Sequence, residues 1–259
     1  MQPADAVAAS ELPRALEQAR RRIEELETEN ADLKQFGYVV SHDLAEPLRT
    51  ISGFADLLEA ELGAGLGDRA AQYLSLIRGG AERMQGLIDD LRAYTRAGQQ
   101  ELASAEVDLG GLLDEVVTSL SARIAERDAV VEHGRLPTLR GDRSMLGLVL
   151  QNLVTNGIKF NVAPQPRVCV EARDAGDTVE VDVVDNGIGI PAAQRDRVFG
   201  LFARLHTREE YSGTGLGLAI SRRVVERHGG HLSVAAATGP GTCMRLTFPS
   251  AAVVRTMAS

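Results

Sequence analysis

A helical histidine with an acidic neighbour is the first candidate for chemistry in this sequence. His42 is followed directly by Asp43, and apolar residues at helical spacing surround the pair. An unperturbed imidazole has a pKa of about 6.5, so much of the ring is neutral and nucleophilic at pH 7. If Asp43 accepts the Nδ1 proton, Nε2 is available to attack a γ-phosphate. Most solitary helical histidines are inert, so a structural role stays open here, and the kink expected at Pro47 fits either interpretation.

A second candidate is a polar face on a predicted helix from Asp142 to Phe160. Asn152, Asn156 and Lys159 are spaced by four and three residues, which places them within about 60° of one another at 100° per residue. An amide oxygen suits Mg²⁺ and an ammonium group neutralises phosphate. A solvated polar face is the ordinary alternative.

A third candidate is a glycine-containing loop that directly follows a predicted strand. Asp185 begins the loop, and Gly187 and Gly189 allow the backbone to approach a ligand closely. The Asp185 carboxylate can accept a hydrogen bond from an exocyclic amino group such as that of adenine.

The same loop also fits a dinucleotide-binding pattern, because Gly187, Gly189 and Ala192 match GxGxxG/A. That interpretation needs an acidic residue at a strand end about twenty positions later. Glu209 and Glu210 fall instead in an irregular stretch, which disfavours a nicotinamide enzyme without removing it.

A fourth candidate is a glycine-rich turn that opens a predicted helix ending near Gly229. Unpaired N–H groups and the positive dipole end at a helix start favour phosphate. Before the turn lies a predicted lid, with Phe199 and Phe202 as aromatic anchors and Arg204 beside them; a plain surface loop is the alternative. The residues of the turn are Gly213, Thr214, Gly215, Leu216, Gly217 and Leu218.

The N-terminal elements are helical. Residues 1–35 are predicted to form a coiled coil, because apolar residues from Leu12 to Leu33 follow an alternating four- and three-residue spacing, with Asn30 at a position that favours a parallel dimer. A single amphipathic helix packed within its own chain is the alternative. Residues 36–98 predict two helices joined at Gly63 to Gly67, and two copies of this hairpin would form a four-helix bundle.

The remaining chain predicts an α+β protein overall. After a linker at 99–107, residues 108–250 alternate helices and strands, with a helix from Leu109 to Glu126 and one sheet covered by helices on one face. Residues 251–259 are a predicted tail. The expected strands lie near Val168 to Ala172, Thr178 to Asp185, His231 to Ala235 and Thr242 to Phe248.

Composition limits the function classes. The 259 residues carry a formal net charge of −8, which disfavours nucleic-acid binding through phosphate contacts. The sequence contains no apolar run of the roughly 18 residues that a membrane span needs, so we expect a cytoplasmic protein.

Together and in this order, the four motifs closely resemble the sensor histidine kinase family of two-component systems. The resemblance covers about residues 30–249 and implies a HisKA-type hairpin followed by a GHKL-type ATP-binding domain, an α/β sandwich. The segments HDLxEPLR, RLHxxExYxGTGLGLAI and VERHGG look most like the phytochrome-type branch.

The resemblance implies ATP and Mg²⁺ as cofactors and a role for each motif. It makes His42 the phosphoacceptor with Asp43 as its partner, and places Asn156 on Mg²⁺. The implied nucleotide contacts are Asn152, Asn156, Lys159, Asp185, Gly187, Gly189, Arg204, Gly213, Thr214, Gly215, Leu216, Gly217, Leu218 and, in the last glycine box, Thr242. The implied partners are a second copy of the chain and a response regulator receiver domain. A sensory domain is absent from these residues, so we expect a fragment or a core regulated by a partner.

Two positions depart from the family pattern. Glu46 stands where many relatives carry Asn or Thr to position a water that dephosphorylates the regulator, which leaves that activity in doubt. Gly157 replaces the usual Ala and is expected to weaken its helix by about 1 kcal/mol if uncompensated. A phosphatase with the same fold and a non-catalytic dimeric scaffold remain the alternative functions.

Overall fold

The computed structural model describes residues 44–45, 47–62, 67–99, 102–207, 210–211, 213–236 and 239–255. It divides the chain into two compact units, residues 1–95 and 96–259. The predicted coiled coil at 1–35, His42, Asp43 and Glu46 lie outside the described residues.

The first unit is the predicted helical hairpin. Its helices are α1, residues 47–62, and α2, Asp68–Gln99. Ala45, Leu48, Ala81 and Ile88 form a small buried cluster between them. None of the helices that the structure describes is both long and apolar enough to cross a bilayer. Large apolar side chains remain exposed along both hairpin helices: Leu44, Ile51, Phe54, Leu57, Leu58, Leu62, Tyr73, Leu76, Ile77 and Met84.

The described residues of the second unit form four α-helices and two sheets. The predicted single sheet is wrong, because a three-stranded antiparallel sheet accompanies the five-stranded one. Its strands, in spatial order, are β1 (Ala105–Asp108), β3 (Thr138–Gly141) and β8 (Val253–Arg255). β1 occupies the end of the predicted linker and β8 lies in the predicted tail. The elements are β1 (Ala105–Asp108), α3 (Leu109–Ser119), α4 (Ser121–Glu126), β2 (Val130–His133), β3 (Thr138–Gly141), α5 (Arg143–Lys159), β4 (Arg167–Asp174), β5 (Thr178–Asp185), α6 (Gly217–Arg227), β6 (His231–Ala235), β7 (Cys243–Pro249) and β8 (Val253–Arg255).

The five-stranded sheet has the order β2-β4-β5-β7-β6, with β2 parallel to β4 and the other pairs antiparallel. Val179, Val181 and Val183 alternate along β5 and are buried. α5 packs against β4 and β5, and α6 packs against β6. Glu180 and Asp182 alternate with the buried valines along β5, and both form ion pairs with Arg245. One sheet face is therefore the core and the other is polar, as the alternation of residues predicts.

The helix starts show how local sequence sets the boundaries. Asp108 caps α3 by accepting from the Gly110 N–H at 3.0 Å, and Asp142 caps α5 by accepting from Met145 at 3.1 Å. The predicted helix from Leu109 to Glu126 is instead two helices that meet at Leu120. α6 differs from α3 and α5 because its N-cap residue is Leu216 and no described side chain caps it. Its first N–H groups therefore lack the partner that capped helices have.

Candidate functional site

Asp185 ends β5 in a fixed orientation. Its Oδ1 accepts the Gly187 N–H at 2.9 Å and the Thr242 N–H at 3.0 Å. Burial raises the pKa of the carboxyl group, and these hydrogen bonds oppose the rise. The Asp185 carboxylate is thus a partly buried hydrogen-bond acceptor at the end of the strand, which suits the amino group of a purine.

Three glycines beside Asp185 leave no room for side chains. A Cβ on Gly187 would lie 2.3 Å from the Phe160 carbonyl oxygen, and one on Gly241 would lie 1.8 Å from the Asp185 carbonyl oxygen. Gly189 has a φ of +74° and faces the Gly241 oxygen. Two loops far apart in sequence are thus packed backbone against backbone around the carboxylate.

The two amide side chains on the polar face of α5, Asn152 and Asn156, have different surroundings. The Asn152 Nδ2 donates to the Gly217 carbonyl at 3.3 Å and to the Ser221 Oγ at 3.4 Å, so this side chain joins α5 to the first turn of α6. The Asn156 side chain, one turn later, forms no hydrogen bond within the described part of the chain. Asn152 thus commits its amide nitrogen to α6, whereas the whole Asn156 amide, oxygen included, is available for a ligand.

Lys159 lies at the end of α5 among aromatic and basic groups. Its Nζ is 4.5 Å from the centre of the Phe160 ring. Desolvation lowers the pKa of the ammonium group, and the nearby charges of Arg204 and Arg123 lower it further. A Cβ on Gly213 would approach the Nζ to 2.7 Å, so the glycine turn lies directly beside the lysine. Because like charges repel, this group of cations favours an anion placed between them.

Gly157 is explained by the packing of α5 on the sheet. A Cβ at this position would lie 2.7 Å from a Val168 methyl group and 3.2 Å from the Asp185 Cβ. The missing side chain lets the helix approach the end of β5. The departure from Ala is thus compensated by close packing, and it brings the polar face of α5 near Asp185.

The glycine turn leads into the uncapped start of α6. Gly213 and Gly215 have φ values of +138° and +77°, and the Thr214 Oγ1 accepts the Leu216 N–H at 3.3 Å. A Cβ on Gly215 would lie 2.9 Å from the Ala203 carbonyl oxygen. The turn needs glycine for its conformation and its packing, and it directs the positive end of α6 toward the Lys159 region.

The lid is braced by Arg204. Its guanidinium donates to the carbonyl oxygens of Gly213, of Thr207 at 3.3 Å and of Tyr211 at 2.7 Å. In the structure, Arg204, predicted to contact the nucleotide, forms its hydrogen bonds with backbone carbonyl oxygens of the lid. An aromatic cluster completes this side, since the Tyr211 ring is 4.8 Å from Phe160.

The two predicted anchors of the lid differ. Phe199 is buried, with the Arg222 guanidinium 5.2 Å from its ring centre. Phe202 is 58% exposed and has a φ of +58°, so it is not an anchor. The expectation failed because Phe202 takes the turn conformation that packs its backbone against Gly215.

The structure assembles most of the predicted nucleotide residues into two groups. One group contains Asp185, Gly187, Gly189 and Thr242, and the other contains Lys159, Arg204 and the turn from Gly213, with Asn152 at the α6 start. Sequence reasoning missed Phe160 and Tyr211, although both adjoin motifs that were found. An acceptor for a base, a free amide and a basic, glycine-lined helix start together suit a purine nucleotide with several phosphates.

Two known domain families match the chain. Residues 141–252 match the family described as histidine kinase-, DNA gyrase B-, and HSP90-like ATPase, and residues 32–100 match the His Kinase A (phospho-acceptor) domain.

Curated and solved proteins are similar over most of the chain. Cyanobacterial phytochrome A of Nostoc sp. is 39% identical over 87% of this chain, and phytochrome-like protein Cph1 of Synechocystis sp. is 36% identical over 91%. The chain spans 29% and 32% of their lengths, about a third. The crystal structure of full-length ShkA in complex with AMPPNP has a TM-score of 0.68 at 28% identity, covering 86% of this chain and 47% of that one.

Proposed function

The chain belongs to the sensor histidine kinases, as a kinase core of their phytochrome branch, and from this premise we propose that it transfers a phosphoryl group from Mg·ATP to His42. The phosphoryl group then passes to an aspartate of a response regulator receiver domain. A homodimer, paired through the hairpin, is the working unit.

The observation that carries the proposal is that one site offers a group suited to a purine base and, apart from it, groups suited to phosphates. Asp185 supplies an oriented acceptor at the end of β5, while Lys159 adjoins the turn that opens the uncapped α6. The similar ShkA structure contains AMPPNP, an ATP analogue, and this likeness supports an adenine nucleotide here.

Each residue of the site has a separate task in the transfer. The Asp185 carboxylate accepts from the adenine amino group, and the first N–H groups of α6 bind phosphate oxygens. Asn156 offers an amide oxygen to Mg²⁺, and Lys159 neutralises phosphate charge. Mg²⁺, when bound, neutralises the charge that develops on the phosphate oxygens.

The transfer itself forms one bond and breaks another. The His42 Nε2 forms a bond to the γ-phosphorus as the bridging bond to the β-phosphate breaks, and ADP leaves. Asp43 holds the Nδ1 proton, which stabilises the positive ring. The Asn152 amide has no basic function, so the site lacks at this position a group that activates water, which favours transfer over hydrolysis.

The hairpin supports the proposed dimer. Its exposed apolar side chains include Leu44, Ile51, Leu58 and Ile77, which recur at helical spacing on the two helices. A second copy would cover this stripe and complete a four-helix bundle.

The experiment is incubation of the purified chain with γ-labelled Mg·ATP, followed by acid and base treatment of the labelled protein. The phosphorus–nitrogen bond of phosphohistidine is expected to be lost in acid and kept in base. A matched incubation with α-labelled ATP controls for bound nucleotide. Label that survives acid, or no label at all, would contradict the proposal.

A further inference from the structure

Two hydrogen-bonded asparagines, one of them buried, connect the two halves of the nucleotide site. Asn161 follows α5 by two residues and is only 2% exposed. Its Nδ2 donates to the Gly157 carbonyl at 3.2 Å and to the Asn186 Oδ1 at 2.6 Å, and its Oδ1 accepts the Ala163 N–H at 2.9 Å. The side chain therefore uses its donor and acceptor groups in one network.

Asn186 forms the other half of the pair. Its Oδ1 also accepts the Arg167 N–H at 2.7 Å, and its Nδ2 donates to the Gln165 carbonyl at 3.1 Å. Its backbone N–H donates to the Arg167 carbonyl at 3.3 Å. Asn186, in the loop that follows Asp185, thus binds the segment after α5 through both its side chain and its backbone.

A backbone contact reinforces the same connection. The Ile188 N–H donates to the Phe160 carbonyl at 3.0 Å, and Gly187 packs against that oxygen without room for a Cβ. The end of α5 and the loop after β5 are therefore fixed to each other by side chains and backbone together.

We propose that Asn161 and Asn186 are positioning residues that set the distance between the adenine site and the phosphate site. Asn186 is adjacent to Asp185, which faces the base, and Asn161 lies two residues after Lys159, which faces the phosphates. We call the two residues the asparagine clamp. The clamp touches no nucleotide group and acts through the residues on either side.

The clamp predicts a specific pattern of binding, and it rests on the proposed nucleotide site. A ligand that occupies both subsites needs the correct spacing, whereas adenosine occupies only the base subsite. Loss of the clamp should therefore weaken ATP binding and leave adenosine binding nearly unchanged. A merely structural loosening of the Asp185 loop would weaken both ligands equally.

The test measures ATP and adenosine dissociation constants for the full chain and three variants, Asn161→Ala, Asn186→Ala and the double variant. All are measured well below their melting temperatures. Phe248→Leu is the control, since Phe248 is buried at the opposite end of the sheet and its truncation lowers stability away from the site. Asn186 is only half-buried, so its variant retains a folded protein even if Asn161→Ala does not.

We expect each single variant to bind ATP about tenfold more weakly, with the double variant no weaker than about twentyfold because the two residues act as one unit. Adenosine affinity should change by less than about twofold. ATP affinity that matches the wild type, or equal losses for ATP and adenosine, would overturn the clamp alone. A wild-type chain that binds no ATP would overturn the nucleotide site and the clamp with it.

Discussion

The hairpin and the second unit bury their apolar residues very differently. The hairpin's buried cluster consists of Ala45, Leu48, Ala81 and Ile88, while ten large apolar side chains among its described residues are exposed. In the second unit, β5 and α5 bury a continuous set that includes Val181 and Leu153. The second unit can therefore stabilise its own fold, whereas the hairpin needs another surface.

This difference separates the tasks of the two regions. A unit with a complete core can hold an oriented carboxylate and closely packed glycine turns in place, because the surrounding packing fixes them. A hairpin with an uncovered stripe is suited to pairing and to presenting a side chain on a helix. We infer that nucleotide affinity belongs to the second unit and assembly to the hairpin, which allows each to be changed alone.

The largest effect is expected from a charge on the hairpin stripe. Ile51→Glu would place a carboxylate in the proposed dimer interface, so the dimer dissociation constant should rise by about a thousandfold. Analytical ultracentrifugation measures the change. Val162→Glu is the control, because Val162 is 75% exposed in the second unit. A dimer that persists in the Ile51 variant at low concentration would contradict the division of tasks.

The next effect concerns the base site alone. Asp185→Asn keeps an oxygen for the Gly187 and Thr242 N–H groups but turns a donor toward the adenine amino group, so ATP affinity should fall about a hundredfold. Isothermal titration calorimetry measures it, with Asp182→Asn on the polar sheet face as the control.

The same variant has a predicted pH signature. Burial raises the pKa of Asp185, so the folded protein holds this proton more tightly than the unfolded chain. The contribution of Asp185 to the free energy of unfolding therefore falls as the pH rises from the ordinary carboxyl range through the raised value. The Asn variant should lose this pH dependence in urea unfolding, and a variant that keeps it would contradict the assignment.

A smaller effect is expected at the phosphate site. Lys159→Gln removes one positive charge beside the glycine turn, and ATP affinity should fall about tenfold while adenosine affinity is unchanged. Arg143→Gln, at the exposed start of α5, is the control. An equal loss for adenosine would place Lys159 outside the phosphate site.

The smallest effect tests the fold of the second unit. Asp142→Ala removes the cap of α5 and should lower the free energy of unfolding by about 1 kcal/mol, without changing the hairpin dimer.

Burial opposes ionisation of Asp142, but hydrogen bonds from Ser144, Met145 and Ala103 outweigh it and lower its pKa. Its stabilisation is therefore present above the ordinary carboxyl pKa and is lost as the pH falls through the lowered value.

The control for this prediction is Asp196→Ala. Asp196 precedes a short 3₁₀ turn and forms no capping hydrogen bond, so the variant should unfold like the wild type. Equal destabilisation by both substitutions would show that the cap hydrogen bond is not the cause.

Residue patterns predicted the long elements of the fold and missed the short ones. The strands Thr178–Asp185 and His231–Ala235 have the predicted bounds, since alternation of apolar residues marks a sheet with one buried face. β1, β2, β3 and β8 have three or four residues each and were missed. Such strands form because distant segments pair, and no local pattern records that pairing.

The site was predictable where chemistry requires unusual residues. Gly187 and Gly215 were found because glycine-rich loops are visible in sequence, and their crowded backbones explain them. Asn161 was missed because an asparagine after a helix is ordinarily exposed, and its burial depends on the Asn186 partner 25 residues away. Arg204 was predicted to contact the nucleotide, and sequence could not anticipate its hydrogen bonds to the carbonyl oxygens of Gly213, Thr207 and Tyr211, because a guanidinium suits phosphate and carbonyl oxygens equally.

The most direct test of the account measures phosphorylation and nucleotide binding on the same two proteins, the wild type and His42→Gln. The γ-label is expected on the wild type, mapped to the peptide that contains His42, and none is expected on the variant. Both proteins should bind ATP with equal affinity, because the proposed nucleotide site lies in the second unit. A variant that is labelled as well as the wild type would contradict the central claim that the imidazole of His42 receives the phosphoryl group.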